Sequence, residues 1–241
     1  VFGKMNWQYI ASYSNESRKK ELINFFDGSQ RNRQSNTMVF NDDGNTTLLY
    51  NTAGNSIAAP NDNTIPINST VFSQESYYDY NGNPVISLLP SPILSSNKVG
   101  FQANINLELD NSKLTKVNYD DNSVSTVPQF NTSSDGAAQY YSPQNQLLGV
   151  EEKAQYIADA NGYAYQRTEY MNDGSGRLKA QYGLGEEKAL DDTKGTRYFY
   201  AKPTKPELEK LFGSNVGVVD FYKKEIAVDP NGVINISYVN Q

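Results

Sequence analysis

Apolar and polar residues alternate in short runs that stop at Asn, Asp and Gly. This is the pattern of β-hairpins, not of long amphipathic helices. Five strand–turn–strand units are predicted. The first runs from Lys20 to Phe26, turns at Asp27-Gly28 and returns from Gln30 to Val39. The second runs from Glu75 to Tyr80, turns at Asn81-Gly82 and returns from Pro84 to Leu89. The third enters at Tyr156–Ala158, turns through Asp159-Ala160-Asn161-Gly162 and returns from Tyr163 to Tyr170. That strand feeds a fourth turn, Asn172-Asp173-Gly174-Ser175-Gly176, which returns from Arg177 to Tyr182. The fifth runs from Phe221 to Val228, turns at Asp229-Pro230-Asn231-Gly232 and returns from Val233 to Val239. In each turn Gly or Asn is expected to supply the positive φ of a tight reversal.

Other segments are read by the same rules. Phe101, Ala103, Ile105, Leu107 and Leu109 alternate and predict a further strand. Asn41–Thr70 and Ser123–Tyr141 are polar and predict loops. Thr204 as N-cap, Pro206, Glu207 as capping-box residue and Gly213 predict one short helix near 204–213, with Leu208, Leu211 and Phe212 on one face. A second helix is a candidate over Pro143–Ala154, interrupted by Gly149. Pro90-Ser91-Pro92 is the best internal boundary, dividing 1–92 from 93–241 as two hairpin segments of one continuous sheet. The expected fold is mostly β: an antiparallel hairpin-repeat sheet with one short helix in the C-terminal half.

Composition narrows the chemistry more than the fold. The chain has 241 residues, a net charge of −6, no Cys and no His. An acidic balance argues against general nucleic-acid binding, which needs an excess of Lys and Arg. Without His and Cys there is no disulfide, no thiolate zinc site, no catalytic triad and no imidazole base. A mean hydropathy of −0.66 alone would suit disorder. The 18 Tyr and 10 Phe argue for a half-buried pleated surface instead. No run of 18 apolar residues and no signal-peptide pattern occurs, so no membrane span is expected. The way the chain starts and stops suggests an excerpt of a longer polypeptide.

The remaining candidates for chemistry are carboxylates. Asp159, Asn161 and Gly162, and Asn41, Asp42, Asp43 and Asn45, resemble fragments of calcium loops but lack the full spacing and the closing Glu. Asp42-Asp43, Asp120-Asp121, Glu151-Glu152, Glu186-Glu187 and Asp191-Asp192 are adjacent pairs. Neighbours in a strand point to opposite faces, so such pairs are not acid–base dyads. Ser17-Arg18-Lys19-Lys20 reads as a charged strand edge. Neither Gly174-Ser175-Gly176 nor Gly183-Leu184-Gly185 has the spacing of a phosphate loop. No catalytic, cofactor-binding or metal-binding residue is assigned. Two other readings stay open: a secreted module that binds carbohydrate or protein through Trp7 and exposed Tyr, and a hydrolase with two convergent carboxylates.

The turns carry a family resemblance. Tyr78-Asp79-Tyr80-Asn81-Gly82-Asn83 resembles a YD repeat, Tyr-Asp-x-x-Gly-Arg, with Asn83 in place of Arg. Tyr170 to Arg177, through Asp173, Gly174 and Gly176, is a stretched copy, and Phe26-Asp27-Gly28-Ser29-Gln30-Arg31 is another variant. The order of further blocks is similar to the region upstream of the repeat core in bacterial Rhs/YD-repeat proteins. These are Asn6-Trp7-Gln8-Tyr9, Leu88-Leu89-Pro90-Ser91-Pro92, Thr196-Arg197-Tyr198-Phe199-Tyr200 and Asp229-Pro230-Asn231-Gly232. The resemblance implies a non-enzymatic, secreted or cell-surface β-shell segment. Its partners would be flanking repeats and an enclosed or displayed domain, in many relatives a toxin. The autoprotease motif of some relatives, Asp-Pro-x-Gly-Leu, is met only in part, because Val233 stands where Leu is expected.

Overall fold

The computed structural model describes residues 5–13, 19–40, 69–95, 99–115 and 127–240. Predictions over 41–68 and 120–121, and at Ser17 and Arg18, lie outside the described residues. The chain forms two compact units. One holds the described residues through Gln166 together with Leu184–Glu186, and the other holds Arg167–Gly183 and Glu187 onward. The division falls at Gln166/Arg167, whereas Ser91–Pro92 is a paired strand inside the first unit.

The first unit is built on β1 (Asn6–Tyr13), β2 (Lys19–Phe26), β3 (Asn32–Phe40), β4 (Ser69–Tyr78) and β5 (Pro84–Leu88), paired antiparallel in that order. The short β6 (Ser91–Pro92) pairs with β4. Register puts Trp7, Phe25, Gln34 and Glu75 in one row, and Tyr9, Ile23, Asn36 and Ser73 in the next, so all eight share one face. An irregular segment covers this face. Phe101 meets Phe25 edge-on at 5.4 Å, and Phe130 sits between Tyr77 at 6.2 Å and Tyr165 at 5.6 Å. Val71, Tyr77, Ile86, Leu88, Phe130 and Tyr165 are buried with them. Burial of these large side chains is the main favourable term, worth about 1.5–3 kcal/mol for each aliphatic or Phe.

Four predictions in this unit are corrected. Phe101–Leu109 is not a strand. Asn106 takes a left-handed φ of 51°, its N–H donates to Asp135 O at 2.9 Å, and the only bridge is Glu108 with Phe130. Ile105 is buried while Leu109 is 61% exposed, so the apolar period does not report a sheet face. The described part of 123–141 is not a surface loop. It carries the buried Phe130, Ala137 and Ala138 and a one-turn helix α1 (Ala137–Tyr140). The helix over Pro143–Ala154 gives way to successive turns and a short 3-10 helix, Glu152–Tyr156, with Gly149 at φ 78°. That 3-10 helix also removes the entering strand of the third hairpin, whose return begins only at Tyr165. β2 lies between β1 and β3, with Lys19 and Lys20 registered on β1 and the β3 register beginning at Glu21.

The second unit carries β7 (Tyr165–Tyr170, entering from the first unit), β8 (Leu178–Tyr182), β9 (Thr196–Ala201), β10 (Tyr222–Val228) and β11 (Ile234–Asn240) in that order, again antiparallel. A one-turn helix α2 (Glu186–Leu190) precedes β9. The predicted helix is α3 (Lys205–Phe212), started by Thr204, with Thr204 N–H donating to Glu207 Oε2 at 3.2 Å, and ended at Gly213, φ 85°. Its face splits: Leu208 is fully buried, while Leu211 and Phe212 are 54% and 58% exposed. The fold is thus mostly β with few helices, and α3 is the longest helix among the described residues.

Candidate functional site

The feature that recurs is the turn. Asp27–Arg31, Asp79–Asn83 and Asp229–Val233 close in one way. The N–H of the Asp donates to the fifth residue's carbonyl, and the fourth residue's N–H donates back to the Asp carbonyl, all at 2.9–3.0 Å. The Asp carboxylate then accepts the fifth residue's N–H, at 3.0 Å from Arg31 and 2.8 Å from Asn83 and from Val233. In the first and third it also accepts the third residue's N–H, from Ser29 and Asn231. A carboxylate carried on a single methylene is what satisfies these turn donors, which explains Asp at the first position.

The fourth position carries the left-handed backbone: Gln30 at φ 60°, Gly82 at 88° and Gly232 at 81°. Gly28, Asn81 and Asn231 do not. The expectation that Asp27-Gly28 turns on its glycine is therefore corrected, because Gln30 bears the strained conformation two residues later. Glu108–Ser112 repeats the same backbone bonds, with Asn111 at φ 64°. The Asn172–Gly176 turn is longer. Met171 N–H reaches Arg177 O, Asp173 accepts Ser175 N–H, and Gly174 and Gly176 both take φ 68°.

Where the fifth residue is Arg, the turn is clamped to the next strand. Arg31 donates through Nε to Asp27 Oδ2 at 2.8 Å while its guanidinium lies 5.0 Å from the Tyr78 ring centre. The Tyr78 hydroxyl donates to Asn32 O at 2.9 Å. Arg177 pairs with Asp173 at 2.6 Å and lies 4.7 Å from the Tyr200 ring centre. One planar cation thus holds a turn carboxylate and a ring on the neighbouring strand together. Asn83, in the Arg position, keeps only the carboxylate contact, at 3.0 Å. Burial would raise the Asp27 carboxyl, but hydrogen bonds from Arg31 and Ser29 hold it below its ordinary value. Hydrogen bonds from Ser175 and then Arg177 hold Asp173 well below. Burial, then the nearby Asp27 charge, raises the Tyr78 phenol. All these shifts fix charge states near neutral pH and poise no group for proton transfer.

A second constellation was not singled out in the sequence. Glu75 is 2% exposed on the covered face of β4. It accepts from Gln34 Nε2 at 2.9 Å, Asn106 Nδ2 at 2.9 Å, the Tyr77 hydroxyl at 3.2 Å and Lys113 Nζ at 2.8 Å to each oxygen. Lys113 also donates to Ile105 O at 2.6 Å, Asn106 Oδ1 accepts Ala137 N–H, and Gln34 Oε1 accepts Gln102 N–H. Burial lowers the Lys113 ammonium from its ordinary value against the pull of Glu75. Burial, then Glu75, pushes the Tyr77 phenol well up. Every lone pair of the carboxylate is used, so this knot pins the irregular cover to the sheet and leaves no base free for a substrate. Its sequence signal is positional: Val71, Ser73, Glu75 and Tyr77 alternate on one face, and a charged residue at such an inward position needs partners.

Asp159 and Gly162 form a turn, with Asn161 N–H donating to Asp159 Oδ1 at 2.8 Å. Among the described residues no group of three or more Asp or Glu is placed to hold a metal ion, and no helix is long and apolar enough to cross a membrane. Comparison with protein-family models, curated proteins and solved structures finds no match.

Proposed function

We propose that this chain is a non-enzymatic scaffold segment of a Rhs/YD-repeat-like protein, building or closing a β-shell that encloses or displays another domain, and acting outside the cell. The observation that supports it most is the repetition of one Asp-first turn, with the Arg–Tyr clamp in two of the copies. A hairpin with one apolar face is marginal alone, and clamps between neighbours let hairpins add side by side. The buried charge is consumed in structure, which fits a scaffold better than a catalyst. Flanking repeats and the enclosed domain are the partners in this reading, without nucleic acid, cofactor or metal.

Limited proteolysis of the parent polypeptide, with this segment present or deleted, tests the reading. Protection of the adjoining domain only when the segment is present is expected. Equal cleavage in both would overturn it. A carbohydrate- or protein-binding module is the second reading, supported by Trp7 and Tyr9, which share one face of β1 and are 58% and 43% exposed. Loss of glycan or partner binding in Trp7→Ala, with proteolysis unchanged, would favour it.

A further inference from the structure

One polar row on the covered face of the first unit is not closed by the Glu75 knot. Register places Asn36 opposite Ser73 across β3 and β4, and Ser73 opposite Ser91 across β4 and β6. Directly opposed residues carry their side chains on one face, with Cβ atoms about 4.5–5.5 Å apart. Asn36, Ser73 and Ser91 are 0%, 1% and 0% exposed. Yet Asn36 Oδ1, Ser73 Oγ and Ser91 Oγ have no hydrogen-bond partner among the described residues. The other buried atoms of that kind, on Asn32, Glu108, Asn145 and Arg167, belong to residues that are not paired with one another. A buried polar group without a partner is costly, so three side by side call for an occupant.

The amides cannot resolve this by turning over. Asn36 Nδ2 donates to Gln34 Oε1 at 3.0 Å and to Gly100 O at 2.6 Å, with Val99 O at 3.3 Å. Gln34 is fixed in the same way, because its Nε2 meets Glu75 Oε1 and Gln102 O while its Oε1 accepts Gln102 N–H. A flipped Asn36 would set oxygen against oxygen, so its Oδ1 must be satisfied from the row. The occupant must therefore donate to an amide oxygen and exchange hydrogen bonds with two hydroxyls. It must also be neutral. The row has no charged side chain, and both Glu75 oxygens are engaged by Gln34, Asn106, Tyr77 and Lys113, so an ion here would lie uncompensated. Water, with two donors and two acceptor sites, meets both demands.

We propose that the row Asn36–Ser73–Ser91 holds buried water that bridges β3, β4 and β6. The water donates to Asn36 Oδ1 and accepts from a serine hydroxyl, the usual role of an internal water among groups that cannot reach one another. Through Asn36 and Gln34 it extends the Glu75 knot to β6, the described strand that precedes the cover. It does not depend on the scaffold reading, which the proteolysis experiment tests separately.

A high-resolution crystal structure of the intact chain tests this without any substitution. At least one water within about 3.2 Å of two or more of the three oxygens is expected. A row that is empty, or that holds an ion, would overturn the proposal. Oxygen-17 magnetic relaxation dispersion asks the same question in solution. Ser73→Val, which puts a methyl group where the water sits, should lose at least one long-lived water relative to the unaltered chain, and an unchanged count would contradict the site. Ser73→Ala and Ser91→Ala read it through stability. If water satisfies the hydroxyls, each substitution lowers the denaturation midpoint. If the hydroxyls are dry, removing one relieves a penalty and the midpoint rises. A midpoint unchanged or raised by either would also overturn it. Should Ser73→Val fail to fold, the crystal structure and the two Ala variants decide.

Discussion

The two units use the same strands and turns but hold them differently. In the first, one sheet face is roofed by an irregular segment, and the roof is pinned by Glu75 and its donors. In the second, α3 contributes a single fully buried residue, Leu208, and many large apolar side chains remain exposed. Hairpin geometry alone therefore does not make a core. What differs is whether a second layer is supplied.

The contrast can be broken most forcefully at Glu75. Glu75→Ala strands Lys113, Gln34, Asn106 and Tyr77 without their acceptor, and should cost about 3 kcal/mol or more. Hydrogen exchange should show protection lost across β3 and β4 and kept in β10. Leu208→Ala is the counterpart in the second unit, with an expected cost of about 2–4 kcal/mol. Denaturant unfolding should show the loss, and exchange should place it in β9 and β10.

The clamps come next. Arg31 and Asp27 are 24% and 20% exposed, against 47% and 44% for Arg177 and Asp173. Arg31→Ala should cost about 1 kcal/mol and Arg177→Ala about half that, because solvent screens the second pair more. Equal costs would mean that burial does not set the clamp strength.

Acid should act on the second unit through Glu207. Hydrogen bonds from Lys224, the Tyr238 hydroxyl and Thr204 N–H lower its carboxyl from 4.5 to about 2. A carboxyl lowered by folding contributes stability that is complete above its unfolded value near 4.5 and is lost as pH falls toward about 2. Glu207→Gln should flatten that limb of an acid titration. The smallest effect is expected at Gln30, whose φ is 60°. Gln30→Gly should gain about 0.5 kcal/mol, the left-handed penalty removed less the entropy that glycine adds. Gly82→Ala, at φ 88° with Arg31 Nη1 3.2 Å from the new methyl, should lose stability.

Much of the strand order was legible because alternation and Asp/Asn/Gly punctuation are local. Four of the five hairpins fall on paired strands, and Thr204–Gly213 carried its own start and stop signals. β1 and β9 stand out in the sequence only as blocks of the resemblance, since neither has a tight turn signal on both sides. Phe101–Leu109 misled because its alternation is shared with a chain that turns at Asn106 to meet Asp135. Gln30 was missed because Gly28 is the residue a turn is expected to use. The Glu75 knot was hidden for a plainer reason: Lys113 and Asn106 reach it across the fold, and sequence spacing does not encode such contacts.

The account turns on the cover that Glu75 pins over the sheet of the first unit. Hydrogen exchange on the intact chain, followed strand by strand, tests this most directly. The β3 and β4 amides beneath that cover should be the more strongly protected, and those of β9 and β10 less so. Equal protection in the two sets would contradict it.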